Sequence, residues 1–279
     1  MSLVDDLNKD KATPLIMAIL NVTPDSFSDG GRYNHADQLK YRISQLQAEG
    51  AHIIDVGGES TRPGAQAVSE QEELDRVLPA LELVKSITGC YVSIDSYKPA
   101  VMKAALALGV DMVNDVNALQ AEGAIELLAC HDEVAICLMH KQGQPQSMQK
   151  APSYQDVVVE VKGFLQQRIH ACKQAGIDIE RLVLDPGFGF GKTLAHNQSL
   201  FQRLTEFQDL ARPLLVGVSR KTMIGQLLDD LPLDARGLPS VVAALLAVQQ
   251  GAKLVRVHEV KETCQALKLA KALKPSQGT

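Results

Sequence analysis

The sequence predicts a (β/α)₈ barrel, an α/β fold built as one domain. Three observations point there. Eight short β-rich runs recur along the chain, each leads through a polar turn toward a helix-like segment, and 279 residues is a usual length for such a barrel. The runs are continuously apolar rather than alternating, which suits parallel strands covered on both faces. A doubly wound open sheet is the competing arrangement. The count of eight and the lack of any compositional break favour the barrel.

Taken in order, a polar lead-in over residues 1–13 precedes the first run, LIMAIL (15–20), which ends at Asn21. The long loop NVTPDSFSDGGRY (21–33) leads to a helix over 35–49. HIIDV (52–56) opens into a second long loop, GGESTRPGAQAVS (57–69), before a helix over 70–87. YVSI (91–94) ends at Asp95 and runs into KPAVMKAAL, whose Pro99 suits a first helical turn. DMVN (111–114) ends at Asn114 and Asp115, and VAICLM (134–139) at Met139 and His140, with a helix over 155–175. RLVL (181–184) ends at Asp185. PLLVGV (213–218) leads to Ser219, Arg220 and Lys221, with a helix over 237–250. KLVRV (253–257) carries Arg256, is followed by His258, and precedes a helix over 259–273. One domain thus spans 1–279, closing in a frayed tail at 275–279.

Composition narrows the classes of function. A net charge of −5 gives no general attraction for nucleic acid or acidic lipid, so any anion site must be a local cluster of cations. The N-terminus, MSLVDDLNKDKA, is too polar and acidic for a signal peptide. The longest apolar stretch, VVAALLAV (241–248), falls far below the roughly 20 residues of a membrane span. Five cysteines show neither C-x-x-C pairing nor zinc spacing, and Cys90 and Cys137 read as small buried apolar residues. A soluble, cytoplasmic protein is the expectation.

A barrel would bring the strand-end residues to one mouth, the face where such folds place their active sites. Several have ordinary readings. Asp95 or Ser96 could cap a helix, Asp115 reads as a turn-bonding residue, and Asn114 and Asp185 suit turns. Lys221 is harder to explain so, because a cation opening a helix opposes its dipole. Arg256 interrupts an apolar strand, where an unpaired guanidinium would be expensive and an anionic ligand would resolve it. His258 points the same way. Cations therefore gather at the seventh and eighth strand ends, where many barrels hold phosphate. Asp95, Asp185 and Asn114 suit a flat ring rich in N–H donors. The stretch DPGFGFGKT (185–193) ends like a phosphate-binding P-loop, but Pro186 stands where the first glycine belongs.

Along nearly its whole length the chain resembles bacterial dihydropteroate synthases, through NVTPDSFSDGG, IIDVGGESTRPGA, SIDS, VNDV, CLMH, LDPGFGFGK, LLVGVSRKTMIG and RVHEVKE. The resemblance implies condensation of 4-aminobenzoate with 6-hydroxymethyl-7,8-dihydropterin diphosphate, on the folate pathway. It implies a pterin site of Asp95, Asn114, Met139, Asp185 and Lys221, and a diphosphate site of Thr61, Arg256 and His258. Asn21 would help hold Mg²⁺, and Phe27, Arg62, Pro63, Gly189, Phe190 and Thr222 would enclose the aminobenzoate. Asp95, Arg62 and Lys221 would be the catalytic groups. DPGFGFGKT would then supply Asp185 and Phe190, with Lys192 and Thr193 as the start of the next helix. The family also suggests a homodimer and sulfonamides as inhibitors. Many members carry Ser at the position of Thr222, and the segment DDLPLDARGL (229–238) has no close match. Rival readings are a methyltetrahydrofolate-binding methyltransferase domain, a non-catalytic pterin-binding paralogue and a Schiff-base aldolase using Lys221. The first has no need of SRK, R-x-H or TRPGA, the second would be expected to lose the loop residues, and the third explains neither the anion cluster nor the long loops.

Overall fold

The computed structural model describes residues 2–9, 14–23, 32–59, 68–143, 148 and 151–273. Among the described residues are eight parallel strands: β1 (Leu15–Asn21), β2 (Ile53–Gly57), β3 (Tyr91–Asp95), β4 (Met112–Asp115), β5 (Ala135–Met139), β6 (Leu182–Asp185), β7 (Leu215–Val216) and β8 (Leu254–Val257). Their order is β6-β5-β4-β3-β2-β1-β8-β7, and a parallel bridge from Leu184 to Leu214 joins the two outer strands. The sheet therefore closes into the expected barrel. Of the run 213–218 only Leu215 and Val216 keep a regular ladder, and Pro213 has no amide to donate. Its carbonyl still accepts from the Leu184 amide at 2.9 Å.

Helices follow the strands and cover the outside: α2 (Arg32–Glu49), α3 (Glu70–Ile87), α4 (Pro99–Ala107), α5 (Ala124–Ala129), α6 (Val157–Gln174), α7 (Leu194–Gln202), α8 (Thr222–Leu227), α9 (Gly237–Gln249) and α10 (Val260–Ala272). Their starts follow local chemistry. Ser69 accepts from the Glu72 amide while Glu72 accepts from the Ser69 amide, a reciprocal cap on α3. Asp156 accepts from the amides of Val158 and Val159 at the head of α6. Lys98, not Asp95 or Ser96, occupies the cap position of α4, and it caps nothing with its side chain. Among the described residues no helix is long and apolar enough to cross a membrane.

One set of alternate strand positions, including Ile16, Ala18, Ile54, Val56, Val92, Ile94, Val113, Ile136 and Leu184, packs outward against helix residues such as Ile43, Val77, Leu81 and Val101. The other set forms a separate apolar cluster: Leu15, Met17, Ile53, Met112, Ala135, Cys137, Val183, Leu215 and Leu254, with Tyr91 at its edge. This second cluster fills the barrel interior. It includes Leu3 and Leu7 from a helix within the lead-in, α1 (Leu3–Asn8), which closes the N-terminal end. Asn8 Nδ2 donates to the Glu180 carbonyl at 2.7 Å and the Tyr91 hydroxyl donates to Asp6 at 2.8 Å. Burial of each leucine is worth about 2 kcal/mol. The tail at 275–279 lies outside the described residues.

Candidate active site

Following the inward positions toward the strand C-termini, the interior changes character. Ile53 gives way to Asp55 and Gly57, Tyr91 to Ser93 and Asp95, Met112 to Asn114, Val183 to Asp185, and Leu254 to Arg256. Register fixes these groups at neighbouring heights: Asp55 pairs with Ser93, Gly57 with Asp95, Asp95 with Asn114, and Met139 with Asp185. The lower half of the barrel is thus hydrocarbon and the upper half is a polar mouth.

Arg256 is the hub of that mouth. Its Nε donates to Asp55 Oδ2 at 2.6 Å and its Nη2 to Asp95 Oδ2 at 2.7 Å, while Asn114 Nδ2 donates to Asp55 Oδ2 at 3.1 Å. The burial penalty on the guanidinium is therefore met by two carboxylates of the chain itself and does not require a ligand. Burial pushes the Asp95 carboxyl up to about 7 despite the pull of Arg256, and the Asp55 carboxylate adds to the rise. One guanidinium shared between two carboxylates cannot fully offset the desolvation of both. Asp55 is fully buried, its Oδ1 has no hydrogen-bond partner among the described residues, and it is absent from the residues singled out in the sequence.

On the opposite side, Asp185 Oδ1 accepts from the Gly187 amide at 2.7 Å, so the turn-forming reading of Asp185 holds alongside its place in the mouth. Burial raises its pKa, with Lys221 opposing the rise. Lys221 donates to the Phe188 carbonyl and stands 4.6 Å from the centre of the Phe190 ring. Burial brings its ammonium down to about 8, with Asp185 holding it up. The loop between them is threaded through left-handed glycines. A Cβ on Gly187 would lie 1.8 Å from the His140 carbonyl oxygen, so only glycine fits there. Met139 is buried beneath this loop, its side chain against Gly187.

Some expectations need correction and others hold. Lys192 is not merely the start of a helix. Thr193 caps α7, whereas the Lys192 ammonium is buried among backbone carbonyls. Arg220 does not join the cations of the mouth: a left-handed backbone (φ 57°) turns it to Glu259. His140 faces Lys192 and Phe164 and is held neutral, burial lowering it to about 3. Glu59 is engaged by Lys98, which also donates to Glu73 and the Val68 carbonyl. Asp115 accepts from the amides of Asn117 and Leu119, the turn-bonding role read from the sequence.

At the remaining positions, Ser219 Oγ lies 2.9 Å from His258 Nδ1, and Thr222 is exposed as the first residue of α8. Gly189 donates its amide to Asn197 Oδ1 at 2.8 Å. Asn21 Oδ1 and Asp95 Oδ2 flank Gly57, lying 3.5 and 3.6 Å from where its Cβ would be. Phe27, Thr61, Arg62 and Pro63 lie outside the described residues.

A family profile described as pterin binding enzyme matches residues 17–258. A dihydropteroate synthase of Haemophilus influenzae is 49% identical over 263 residues, covering 94% of this chain and 95% of the relative. The solved Yersinia pestis dihydropteroate synthase with a sulfonamide drug complex superposes with a TM-score of 0.89 at 47% identity, covering 96% of each chain. That of Xanthomonas albilineans in complex with 7,8-dihydropteroate gives a TM-score of 0.86 at 42% identity, also covering 96% of each.

Proposed function

We propose, for a chain that belongs to the pterin-binding enzyme family and within it to the dihydropteroate synthases, how its own residues carry out that family's reaction. The chain condenses 4-aminobenzoate with dihydropterin diphosphate, giving 7,8-dihydropteroate and pyrophosphate. The observation that carries the assignment of roles is the polar mouth itself, where Asp95, Asn114 and Asp185 stand beside Arg256 and Lys221 on one rim. Carboxylates and an amide suit the amino and ring N–H groups of the pterin, and Met139 offers an apolar face to the ring. Arg256 and His258 suit the diphosphate, with Thr61 on the second long loop. Gly189, Phe190 and Thr222 suit the aminobenzoate, together with Phe27, Arg62 and Pro63.

In this reading the C–O bond from the pterin methylene to the diphosphate breaks first, because the arylamine is a weak nucleophile. Arg256 and His258 take up the charge growing on the leaving group. Ionised Asp95 faces the cationic character left on the pterin. The amine then forms the C–N bond and gives up its proton to the departing pyrophosphate or to water. Lys221, set between Asp185 and the Phe190 ring, orients the two substrates across the mouth. Arg62 would help enclose the reacting centre and exclude water.

Magnesium is proposed as the metal. The donor set suits it: a single neutral oxygen, Asn21 Oδ1, beside a glycine that leaves room, fits an ion that keeps much of its water and bonds phosphate oxygens. When bound, the ion would neutralise charge on the diphosphate. The test is a pyrophosphate-release assay with and without 4-aminobenzoate. Release that requires the arylamine and is abolished by excess EDTA is the expected result. Release unaffected by EDTA would remove the metal, and no release would remove the reaction.

A homodimer is proposed on the outer face. Leu238, Val242 and Leu246 are exposed at four-residue spacing along α9, with Leu227, Leu228 and Leu233 exposed on the preceding segment. A second copy of the same patch is the self-complementary partner. Light scattering should give twice the chain mass, falling to one chain in Leu238→Glu/Val242→Glu. A wild-type monomer would remove the proposal. The five free cysteines and small-molecule substrates support a cytoplasmic setting.

A further inference from the structure

Lys192 has no role in the reaction as set out above, yet its placement is unusual for a lysine. It is 3% exposed, although it stands one residue before the cap of α7, where a solvated side chain would be ordinary. A cation at a helix N-terminus is also opposed by the helix dipole. Two unfavourable terms at one residue call for a compensating one.

The compensation lies in the path of the loop after β6. Gly187, Gly189 and Gly191 all have positive φ, at 71°, 82° and 65°. A Cβ on Gly191 would approach the Gln142 carbonyl oxygen to 2.2 Å, as one on Gly187 would the His140 carbonyl. The loop is therefore laid directly on the backbone that follows β5. In that arrangement several acceptors face one point, and the Lys192 ammonium occupies it. It lies 2.8 Å from the Gly187 carbonyl oxygen, 3.2 Å from that of Phe190, 3.4 Å from that of His140 and 3.0 Å from His140 Nδ1. Burial lowers its pKa to about 7, with Asp185 holding it up, and its N–H groups are shared among these acceptors. Neighbouring bonds pin the loop's flanks: Tyr154 donates to the Gly191 carbonyl at 2.9 Å, and Asn197 bridges the Gly189 amide and the carbonyls of Lys192 and Thr193.

The consequence reaches the mouth. With the Gly187 and Phe190 carbonyls turned inward to Lys192, Phe188 is buried against Phe201 with ring centres 5.9 Å apart. The Phe188 carbonyl is left facing Lys221, and the Phe190 ring faces the same ammonium. We propose that Lys192 is a positioning residue, whose side-chain nitrogen gathers the carbonyls of the 187–190 loop and so sets the Phe190 wall at the aminobenzoate end of the mouth. The inference rests on the proposed place of Gly189 and Phe190 beside the aminobenzoate. The Asp185 backbone is held by the strand, its carbonyl accepting from the His140 amide at 3.0 Å, and its side chain bonds the Gly187 amide rather than the carbonyls that Lys192 gathers, so the pterin end should be less affected.

The test is steady-state kinetics of Lys192→Met, with both substrates varied, beside thermal unfolding of the free enzyme. The expected result is a KM for 4-aminobenzoate raised at least about tenfold, with the KM for the pterin diphosphate within about twofold of wild type. Lys192→Gln, which keeps two donors for the carbonyls, should recover much of the loss. It also carries the reading should the methionine variant fail to fold. A folded variant with lowered stability but an unchanged aminobenzoate KM would overturn the proposal, as would equal rises in both KM values. Wild-type enzyme that released no pyrophosphate would instead remove the reaction assignment, so the two failures are distinct.

Discussion

Asp95→Asn is expected to lower kcat/KM for condensation by about 10²–10⁴-fold, roughly 3–5 kcal/mol of transition-state stabilisation, while the barrel stays folded. The substitution keeps size and one acceptor oxygen but removes the negative charge that faces the developing pterin cation. Its sign with pH follows from the raised carboxyl. Burial and the Asp55 charge push Asp95 from 3.8 up to about 7, against Arg256, so the active ionised form is lost as pH falls below about 7. Between these two values the folded chain binds more protons than the unfolded one. Ionisation of Asp95 therefore opposes folding increasingly as pH rises through that window. The charge is held at the mouth at some expense to stability, a common arrangement where activity needs a strained group. The wild-type profile of kcat/KM should show an acid limb near 7, and Asp95→Asn should lack it. An unchanged rate in the variant, or the same limb without the carboxylate, would remove Asp95 from the chemistry.

The β-rich runs marked all eight strands, because a parallel barrel buries both strand faces and writes that burial as local composition. Among the polar groups at the mouth, Lys221 and Arg256 were legible because a cation at a helix start or within an apolar strand has few ordinary explanations, and the others only through their common place at strand ends. What the sequence hid was partnership. Asp55 lay inside IIDV, read as part of an apolar strand. Only its position two residues after Ile53 and two before Gly57 marks it as inward-facing. It meets Arg256 across 201 positions of chain, which no local pattern encodes. Arg220 and Lys221 are adjacent at the same strand end, yet one left-handed residue sends Arg220 to Glu259 and leaves Lys221 in the mouth. Lys192 read as a helix start because the cap at Thr193 is a local signal. The carbonyl cluster around the ammonium exists only once β5 and β6 are side by side. The lead-in helix α1 escaped notice because six residues with two leucines carry too little periodicity to stand out.

Arg256→Ala should weaken pyrophosphate binding by about 100-fold or more, close to 3 kcal/mol, and binding of the free pterin alcohol by less than about fivefold. The structure adds a second effect that composition could not foresee. Removing the guanidinium leaves fully buried Asp55 without a counterion and beside Asp95 on the neighbouring strand, so about 3–5 kcal/mol of stability should go with it. Arg256→Lys separates the two effects. It keeps the positive charge but cannot present Nε to one carboxylate and Nη2 to another, so it should restore part of the stability and less of the anion affinity. Calorimetric titration of each variant with pyrophosphate and with the pterin alcohol, beside denaturant unfolding, reads both quantities in the same protein. If the alcohol and pyrophosphate weakened equally, Arg256 would be a strut between Asp55 and Asp95 and not the seat of the leaving group. A pyrophosphate loss that persisted in the folded lysine variant, with alcohol binding preserved, would place the diphosphate on the guanidinium fork itself.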